Sequence, residues 1–227
     1  PLEKTPVSEP YRDLQTGVLV NKLGIMSATD LARAEYNITN LRIAELTVTP
    51  VAGTFDLDHL KAIHKHLFSD VYGWAGQTRT MNIVKPDPED PRWVSTFAPA
   101  KTIHDVATSI REDLAEWKNL KELNQKDFTT LLATTYVTLN DMHPFPEGNG
   151  RSTQTLLAQL ADEANYTVDY AKVRPDEWNR AASRSTPQRQ ADDPTVTRKG
   201  DPTLIQDVFR RIVEPLKERV SPHDRDR

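Results

Sequence analysis

Apolar residues recur at three- and four-residue intervals along most of the chain, which is the spacing of one buried face of an α-helix. This pattern predicts seven helices, which begin at or near Ser27 or Thr29, Asp56, Pro99, Asn124 or Asp127, Ser152, Pro175 and Asp201. Ser, Thr, Asn and Asp commonly cap helix N-termini, and proline fits the first turn. The first helix is expected to bury a face that includes Leu31, Tyr36, Leu41 and Leu46. The sequence therefore predicts an all-α, mainly helical domain.

One segment departs from the helical pattern. Residues 78–84 and 92–97 are short runs with alternating and β-branched side chains, and the turn between them, residues 85–91, contains three prolines. Two such runs around a turn are typical of a β-hairpin. We therefore expect one small hairpin in an otherwise helical chain.

The pattern divides the chain into five parts. We expect an N-terminal segment of residues 1–14, a folded core of residues 15–183, a polar surface loop of residues 184–200, a C-terminal helix of residues 201–220 packed on the core, and a disordered tail of residues 221–227. The loop assignment rests on polar composition without periodicity, and the tail assignment on its charged, apolar-poor composition.

Composition narrows the classes of function. A chain of 227 residues suits one sizeable domain, and the net charge of −4 gives no electrostatic reason to expect a nucleic acid partner. The absence of cysteine excludes disulfides, thiolate catalysis and cysteine zinc sites. No apolar run approaches the ~20 residues of a membrane span, and no secretory signal is visible, so we expect no membrane partner.

The most informative segment is His-Pro-Phe-Pro-Glu-Gly-Asn-Gly-Arg, residues 143–151, directly before a predicted helix. A glycine-rich turn that opens a helix binds anions, because free backbone N–H groups converge there and the helix dipole favours negative charge. Arg151 adds a guanidinium suited to phosphate oxygens, Glu147 can bind a divalent cation, and His143 can accept a proton near neutral pH. The segment indicates a site for phosphoryl or nucleotidyl transfer.

This segment resembles the signature of Fic domains, His-x-Phe-x-Asp/Glu-Gly-Asn-Gly-Arg. A second stretch, residues 60–68 followed by residues 71–79, resembles the part of the family that precedes its β-hairpin flap. Both stretches lie in the family's order, and the resemblance extends over residues 15–180. It implies a Fic-type helical bundle with one small β-hairpin flap.

The resemblance also implies a protein adenylyltransferase, an enzyme that transfers AMP from ATP to a Ser, Thr or Tyr hydroxyl of a target protein. By the family's pattern, His143 would be the general base that deprotonates this hydroxyl. Glu147 would coordinate Mg²⁺, which bridges the α- and β-phosphates. ATP and Mg²⁺ are thus the expected substrate and cofactor.

The rest of the motif would hold the nucleotide. Gly148, Asn149 and Gly150 would line the anion hole for the phosphates, and Arg151 would hold the β-phosphate of the departing pyrophosphate. Phe145 would carry no chemistry and would fix the loop against the core. Catalysis would consist mainly of positioning and charge stabilisation.

One residue departs from the family's pattern. Gln154 occupies the position, one helical turn after Arg151, where the family usually has a second arginine for the γ-phosphate. Glutamine donates a hydrogen bond without a charge, which roughly halves its strength. The enzyme could be slow, use another basic residue, or prefer another donor. Two alternatives therefore stay open: a Fic-fold transferase with another donor or with phosphate transfer, and a catalytically weak partner-binding module.

The flap of the family presents an open strand edge to which the target protein adds as an extra strand. Here that edge is expected within residues 93–97 or within the five residues Thr80, Met81, Asn82, Ile83 and Val84. Many members are restrained by an inhibitory helix with the pattern Ser/Thr-x-x-x-Glu-Gly/Asn. The only Glu in this chain that is followed by Gly or Asn is Glu147, inside the motif of residues 143–151, so the sequence contains no copy of this helix. Regulation by a separate small antitoxin is therefore expected if the enzyme is restrained. The site of action would be the bacterial cytoplasm, or a host cell after delivery.

Three further histidines suggest a metal site at first sight. His59, His64 and His66 are spaced by five and two residues, so no pair has the four-residue spacing that aligns two imidazoles on one helical face. We therefore expect packed or solvated roles for them.

Overall fold

A computed structural model describes residues 10–216. The predicted N-terminal segment is thus described only from residue 10 and the predicted C-terminal helix only to residue 216. The predicted disordered tail, residues 221–227, lies outside the described residues.

The described chain is mainly helical, as the sequence predicts. Its helices are α1 (Ala28–Val48), α2 (Leu57–Phe68), α3 (Ile103–Glu116), α4 (Gln125–Met142), α5 (Asn149–Glu163), α6 (Pro175–Ser185) and α7 (Thr203–Ile212), with 3₁₀ turns at Ala100–Thr102, Lys118–Leu120 and Tyr170–Lys172. Three of the predicted N-caps are confirmed. The side chains of Ser27, Asp56 and Asn124 each accept a hydrogen bond from a backbone N–H of the first turn.

Six short strands accompany the helices within residues 10–216. They are β1 (Val84–Pro86), β2 (Trp93–Thr96), β3 (Tyr166–Val168), β4 (Gln188–Gln190), β5 (Thr197–Arg198) and β6 (Val213–Pro215). One antiparallel sheet has the order β1-β2-β4-β5, and β3 pairs with β6 in a second. The predicted hairpin is therefore present as β1 and β2, and it forms half of a larger sheet.

Helix α4 lies at the centre of the bundle and packs against α3, α5, α6 and α7. Four of its side chains, Phe128, Leu132, Tyr136 and Leu139, are almost completely buried. Complete burial of an apolar side chain of this size stabilises a fold by about 1.5–3 kcal/mol. The end of α4 is therefore well packed, and the segment that follows it, residues 143–148, connects α4 to α5. No helix among residues 10–216 combines the length and hydrophobicity needed to cross a membrane.

The predicted buried face of α1 is wrong at two positions. Leu31 and Leu46 are buried, but Tyr36 and Leu41 are each 63% exposed. Helix α1 packs on α2 along one stripe, and these two residues lie outside it.

The assignment of residues 184–200 as a polar surface loop is also wrong, because this segment contains β4 and β5. Strand β4 pairs with β2, with Gln188 opposite Ser95. The Gln188 side chain is buried and donates a hydrogen bond to Asp87 Oδ2 at 2.9 Å. Because polar contacts hold β4 and β5 in place, their sequences lack the alternation of apolar residues from which strands are predicted. The predicted C-terminal helix likewise ends at Ile212, and the chain continues as β6.

Asp87, in the proline-rich turn between β1 and β2, joins the two halves of this sheet. Its Oδ1 accepts from the backbone N–H groups of Glu89 and Asp90, and its Oδ2 accepts from Gln188 and, at 3.2 Å, from Arg198. Burial alone raises the pKa of Asp87, but these hydrogen bonds outweigh burial and lower it below the ordinary value. The stabilisation is therefore complete above the ordinary carboxyl value of roughly 4 and is lost as the pH falls through the lower folded value.

We predict that Asp87→Asn loosens this sheet, because the new amide N–H₂ replaces an acceptor that faces the donors of Gln188 and Arg198. The expected cost is about 1–3 kcal/mol. Amide hydrogen exchange of Thr96, which donates to Pro187 across the sheet, should accelerate accordingly. The exposed neighbour Glu89 supplies the control, and a Glu89→Gln variant that accelerates exchange equally would contradict the role of Asp87.

Candidate active site

The segment that connects α4 to α5 begins with an unusual backbone conformation. His143 caps the C-terminus of α4 with φ of 41°, in the left-handed region, and its N–H donates to Leu139 O at 3.1 Å. Proline follows at position 144, so the helix cannot continue. The ring of Phe145 is completely buried and stacks on His64 at a centroid distance of 3.8 Å. The side chain of His143 is thereby left at the boundary between α4 and the connecting segment.

The side chain of Asn149 closes this connecting segment. Its Oδ1 accepts from Phe145 N and its Nδ2 donates to Phe145 O, both at 2.8 Å. The predicted role of Asn149 in the anion hole is therefore left to its backbone N–H, because both polar ends of the amide are used within the segment.

His64 supports the same segment from α2. Its Nδ1 accepts from Gly76 N at 2.8 Å, so its Nε2 carries the proton and donates to Glu147 O at 3.0 Å. Burial lowers the pKa of His64 to about 4, which keeps this donor–acceptor arrangement fixed at physiological pH.

The prediction of packed or solvated roles for the three histidines is confirmed, and His59 and His64 are the packed ones. His59 is buried, accepts from Phe55 N at 3.2 Å and donates to Val51 O at 2.8 Å. His66 is half-buried and lies 3.1 Å from a carboxylate oxygen of Glu45. Among residues 10–216, no group of three or more His, Cys, Asp or Glu side chains is placed to hold a metal ion.

The His143 imidazole is arranged as a neutral base. Its Nδ1 lies 3.2 Å from Asn140 O, which can only accept, so Nδ1 carries the proton and Nε2 keeps its lone pair. The ring stacks on Phe97, just after β2, at 3.8 Å. Burial, with the charges of Lys85 and Arg79, lowers the pKa of His143 to about 3, below the near-neutral titration that the sequence suggested.

The start of α5 offers an open site for an anion. Gly148 has φ of 83°, and a Cβ there would lie 2.4 Å from the Phe68 ring, so only glycine fits. A Cβ at Gly150, by contrast, would meet no atom within 4 Å. The first backbone N–H groups of a helix have no acceptor within it. Those of Asn149, Gly150 and Arg151 are therefore left without an intrahelical acceptor at the positive end of the α5 dipole.

Arg151 is held by α1, which the sequence did not indicate. Its Nη2 pairs with the Glu35 carboxylate, its Nη1 donates to Thr39 Oγ1 at 2.9 Å, and its guanidinium lies 4.7 Å from the centroid of the Phe68 ring. The other Glu35 oxygen accepts from Tyr72 Oη, and burial followed by this contact raises the pKa of Tyr72 above its ordinary value. The sequence does not indicate that Glu35 and Thr39 are buried partners of Arg151, because polar residues of an amphipathic helix are expected to face solvent.

Glu147, the carboxylate that the sequence suggests for a divalent cation, lies beside Arg151. Its side chain is 44% exposed, its Oε1 accepts from Gly148 N at 2.9 Å and lies 3.6 Å from Arg151 Nη2. Mg²⁺ is usually held by one or two carboxylates together with substrate phosphates and water. A single exposed carboxylate next to an anion site fits this donor set.

Gln154 lies one turn after Arg151, and both line a cavity of about 720 Å³ between α1, α5 and β3. Within the described part of the chain, Arg151 is the only lysine or arginine that borders this cavity. No other basic residue in this cavity could therefore replace the second arginine that the family usually has.

The predicted flap residues begin before the strand. Thr80, Met81, Asn82 and Ile83 precede β1, and only Val84 belongs to it. Thr80 N donates to Tyr11 Oη at 2.9 Å, which ties the start of the flap to the N-terminal segment. The alternative edge within residues 93–97 is wrong, since β2 pairs with β1 on one side and β4 on the other. Within the described chain, the free edge of this hairpin is that of β1.

We predict that His143 stays neutral from pH 8 to pH 5, with the proton on Nδ1. The ordinary histidine pKa is roughly 6.5, so an unperturbed imidazole would gain a proton within this range. Nitrogen chemical shifts of the ¹⁵N-labelled ring would report both the charge and the tautomer, with a histidine dipeptide as the reference. A His143 signal that titrates together with the dipeptide would contradict the assigned environment.

We predict that Glu35→Gln destabilises the fold, because it removes the charge that pairs with Arg151. The Glu35 side chain is 10% exposed and that of Arg151 24%, so solvent screens part of the loss. The expected decrease in the free energy of unfolding is about 1–3 kcal/mol, measured by urea denaturation. Glu45, on the exposed side of the same helix, pairs with Arg42, and Glu45→Gln should leave the midpoint nearly unchanged. Equal effects of the two variants would show that the Glu35 contact is not special.

Comparisons with known proteins identify the family. The model of the Fic/DOC family matches residues 54–161. The chain is 31% identical over 180 residues to the probable protein adenylyltransferase y4lH of Sinorhizobium fredii, which covers 79% of this chain and 88% of that protein. It is 41% identical over 178 residues to the protein adenylyltransferase VbhT of Bartonella schoenbuchensis, covering 78% of this chain. The match covers 36% of VbhT, so the chain spans about a third of that relative's length.

The architecture also matches solved structures. The N-terminal Fic domain of a VirB-translocated Bep effector protein from Bartonella quintana, which contains bound ADP, aligns with a TM-score of 0.78 at 23% identity. The alignment covers 91% of this chain and 95% of that one, which confirms the predicted Fic-type fold. Because the S. fredii relative is 31% identical over most of both chains and the family model includes the whole of residues 143–151, the chain belongs to the Fic/DOC family.

Proposed function

We propose that this chain is a protein adenylyltransferase that transfers AMP from ATP to a Ser, Thr or Tyr hydroxyl of a target protein. The observation that carries the proposal is the neutral His143 imidazole, whose Nε2 lone pair is free because Nδ1 donates to Asn140 O. This base lies in the same short segment that opens α5 and its anion site. The relatives named as protein adenylyltransferases support the same class of enzyme.

The transfer requires one proton acceptor and one leaving group. His143 Nε2 accepts the proton of the target hydroxyl, whose oxygen forms a bond to the α-phosphorus. The bond from the α-phosphorus to the bridging oxygen breaks, and pyrophosphate leaves. The negative charge of bound phosphates favours the imidazolium form, so it raises the pKa of His143 from about 3 in the free protein towards the working pH.

The start of α5 holds the phosphates. The backbone N–H groups of Gly150 and its neighbours donate to phosphate oxygens at the positive end of the helix dipole. Arg151 has five N–H groups and uses its two terminal nitrogens for Glu35 and Thr39, so the remaining donors are available to the β-phosphate. Glu35 thus orients Arg151 and limits its positive charge.

Glu147 is the residue that would bind Mg²⁺, with phosphate oxygens and water as the other ligands. When bound, the ion would neutralise negative charge on the α- and β-phosphates. The contribution of this chain is the exposed carboxylate, which the hydrogen bond from Gly148 N orients at the edge of the anion site.

The target protein is expected to pair with β1, the free edge of the flap hairpin. An added strand is bound mainly through backbone hydrogen bonds. The β1 edge therefore determines the orientation of the target more than it selects the target's sequence. Regulation by a separate small antitoxin, and action in the bacterial cytoplasm or in a host cell, stay predictions.

We predict that the protein labels a target in lysate from ATP labelled at the α-phosphate and not at the γ-phosphate. His143→Ala should reduce labelling by about 10²- to 10⁴-fold, the usual contribution of a general base. His104→Ala, which removes an exposed histidine of α3, is the matched control and should retain full activity. Label from the γ-phosphate would instead indicate phosphate transfer, and no label from either donor would favour a partner-binding module.

We predict that Gln154→Arg lowers the KM for ATP by roughly tenfold, since it adds a charge-assisted hydrogen bond beside Arg151. The control is Gln206→Arg on α7, which makes the same charge change outside the cavity. Initial rates at increasing ATP concentration would separate KM from kcat. An unchanged KM would mean that Gln154 does not limit the binding of the triphosphate.

A further inference from the structure

Arg79 is a buried cation at the end of α4. Only 2% of its surface is exposed, and it lies outside the residues assigned above to substrate binding. Its Nε donates to His143 O at 2.8 Å, and its Nη2 donates to Met142 O at 3.2 Å. The backbone N–H of Arg79 also donates to Pro144 O at 2.8 Å. One residue thus binds three consecutive carbonyl groups where α4 ends and the segment with the base begins.

The same guanidinium binds the flap. Its Nη1 donates to Met81 O at 2.8 Å, just before β1, and its Nη2 also donates to Ala98 O, just after β2. Both chain segments at the base of the flap hairpin are therefore attached to the group that holds the His143 backbone. Phe97, adjacent to Ala98, is also the residue that stacks on the His143 ring.

Burial of a charge without a carboxylate partner is costly unless other dipoles compensate it. Here the last carbonyls of α4 have no intrahelical partner and carry the negative end of the helix dipole. Burial is the main cause that lowers the pKa of Arg79, partly opposed by electrostatic interactions with Tyr11 and Asp141. The planar guanidinium binds two carbonyls at the end of α4 and two at the base of the flap, and the compact ammonium of lysine has too few donors to bind all four.

We propose that Arg79 is a positioning residue for the transfer step proposed above, on which this inference rests. It holds His143 in the left-handed conformation and fixes the distance between the base and the flap that docks the target. A non-glycine residue in this conformation is strained, so it needs such a restraint. The docked hydroxyl and Nε2 of His143 are thereby held within one rigid unit.

Arg79→Lys tests this role, because it keeps the charge and removes the planar set of donors. We expect the folded variant to bind a non-hydrolysable ATP analogue within twofold of the parent, while labelling from the α-phosphate falls by about 10- to 100-fold, the usual effect of a displaced reacting group. Arg92→Lys is the matched control, since Arg92 lies on the same hairpin, is 81% exposed and should show neither effect. Unchanged labelling, or an equal loss of analogue binding, would overturn the proposal.

A second readout does not depend on the reaction. In ¹⁵N spectra of the His143 ring, Arg79→Lys should replace the single Nδ1–H tautomer by a mixture of the two neutral forms, and amide exchange in β1 and β2 should accelerate. If the parent chain transfers no nucleotide, the proposed function fails, yet this test still decides whether Arg79 couples the flap to His143. A ring spectrum identical to that of the parent would overturn the coupling.

The unaltered chain provides a third measurement, in case Arg79→Lys does not fold. The Arg79 Nε–H, which donates to His143 O, should exchange with solvent at least tenfold more slowly than the side-chain N–H groups of exposed Arg92. Equally fast exchange of the two side chains would show that the guanidinium does not hold the His143 backbone.

Discussion

The active-site geometry depends on how two helix ends meet. The C-terminus of α4 and the N-terminus of α5 face one connecting segment, residues 143–148, so unpaired carbonyls and unpaired N–H groups lie close together. Arg79 satisfies the carbonyl end from inside the protein. The N–H end borders open space at Gly150. A paired negative end beside an unpaired positive end gives this segment an electrostatic preference for anions.

The same arrangement explains the electrostatics of the two central side chains. Burial and two nearby cations keep His143 neutral before any substrate binds, so its Nε2 keeps a free lone pair. Arg151, by contrast, keeps its charge and has to be fixed in one orientation, since a free guanidinium would adopt many conformations. Glu35 and Thr39 of α1 fix it against the Phe68 ring. Helix α1 is therefore part of the site although it contributes no residue to the motif.

Local chemistry was readable from the sequence, whereas polar long-range contacts were not. Each of the caps Ser27, Asp56 and Asn124 accepts a hydrogen bond from a backbone N–H three residues later in the chain. Residue type and spacing were therefore enough to predict them. Strand β4 depends on Gln188 binding Asp87, which lies 101 residues away. Such a pair leaves no periodic signal. The exposed Tyr36 and Leu41 show the related error of assuming that every apolar residue of a helical pattern is buried.

For the site itself, the sequence determined which groups are present, because residues 143–151 are contiguous and contain an imidazole, a carboxylate, a glycine-rich turn and a guanidinium. Only the tertiary structure decided how these groups can act. The tautomer of His143, the use of the Asn149 amide within the segment, the Glu35 partner of Arg151 and the buried Arg79 all depend on chain segments far apart in sequence. Hydrogen bonds and burial set protonation and orientation, and both follow from what surrounds a residue in space.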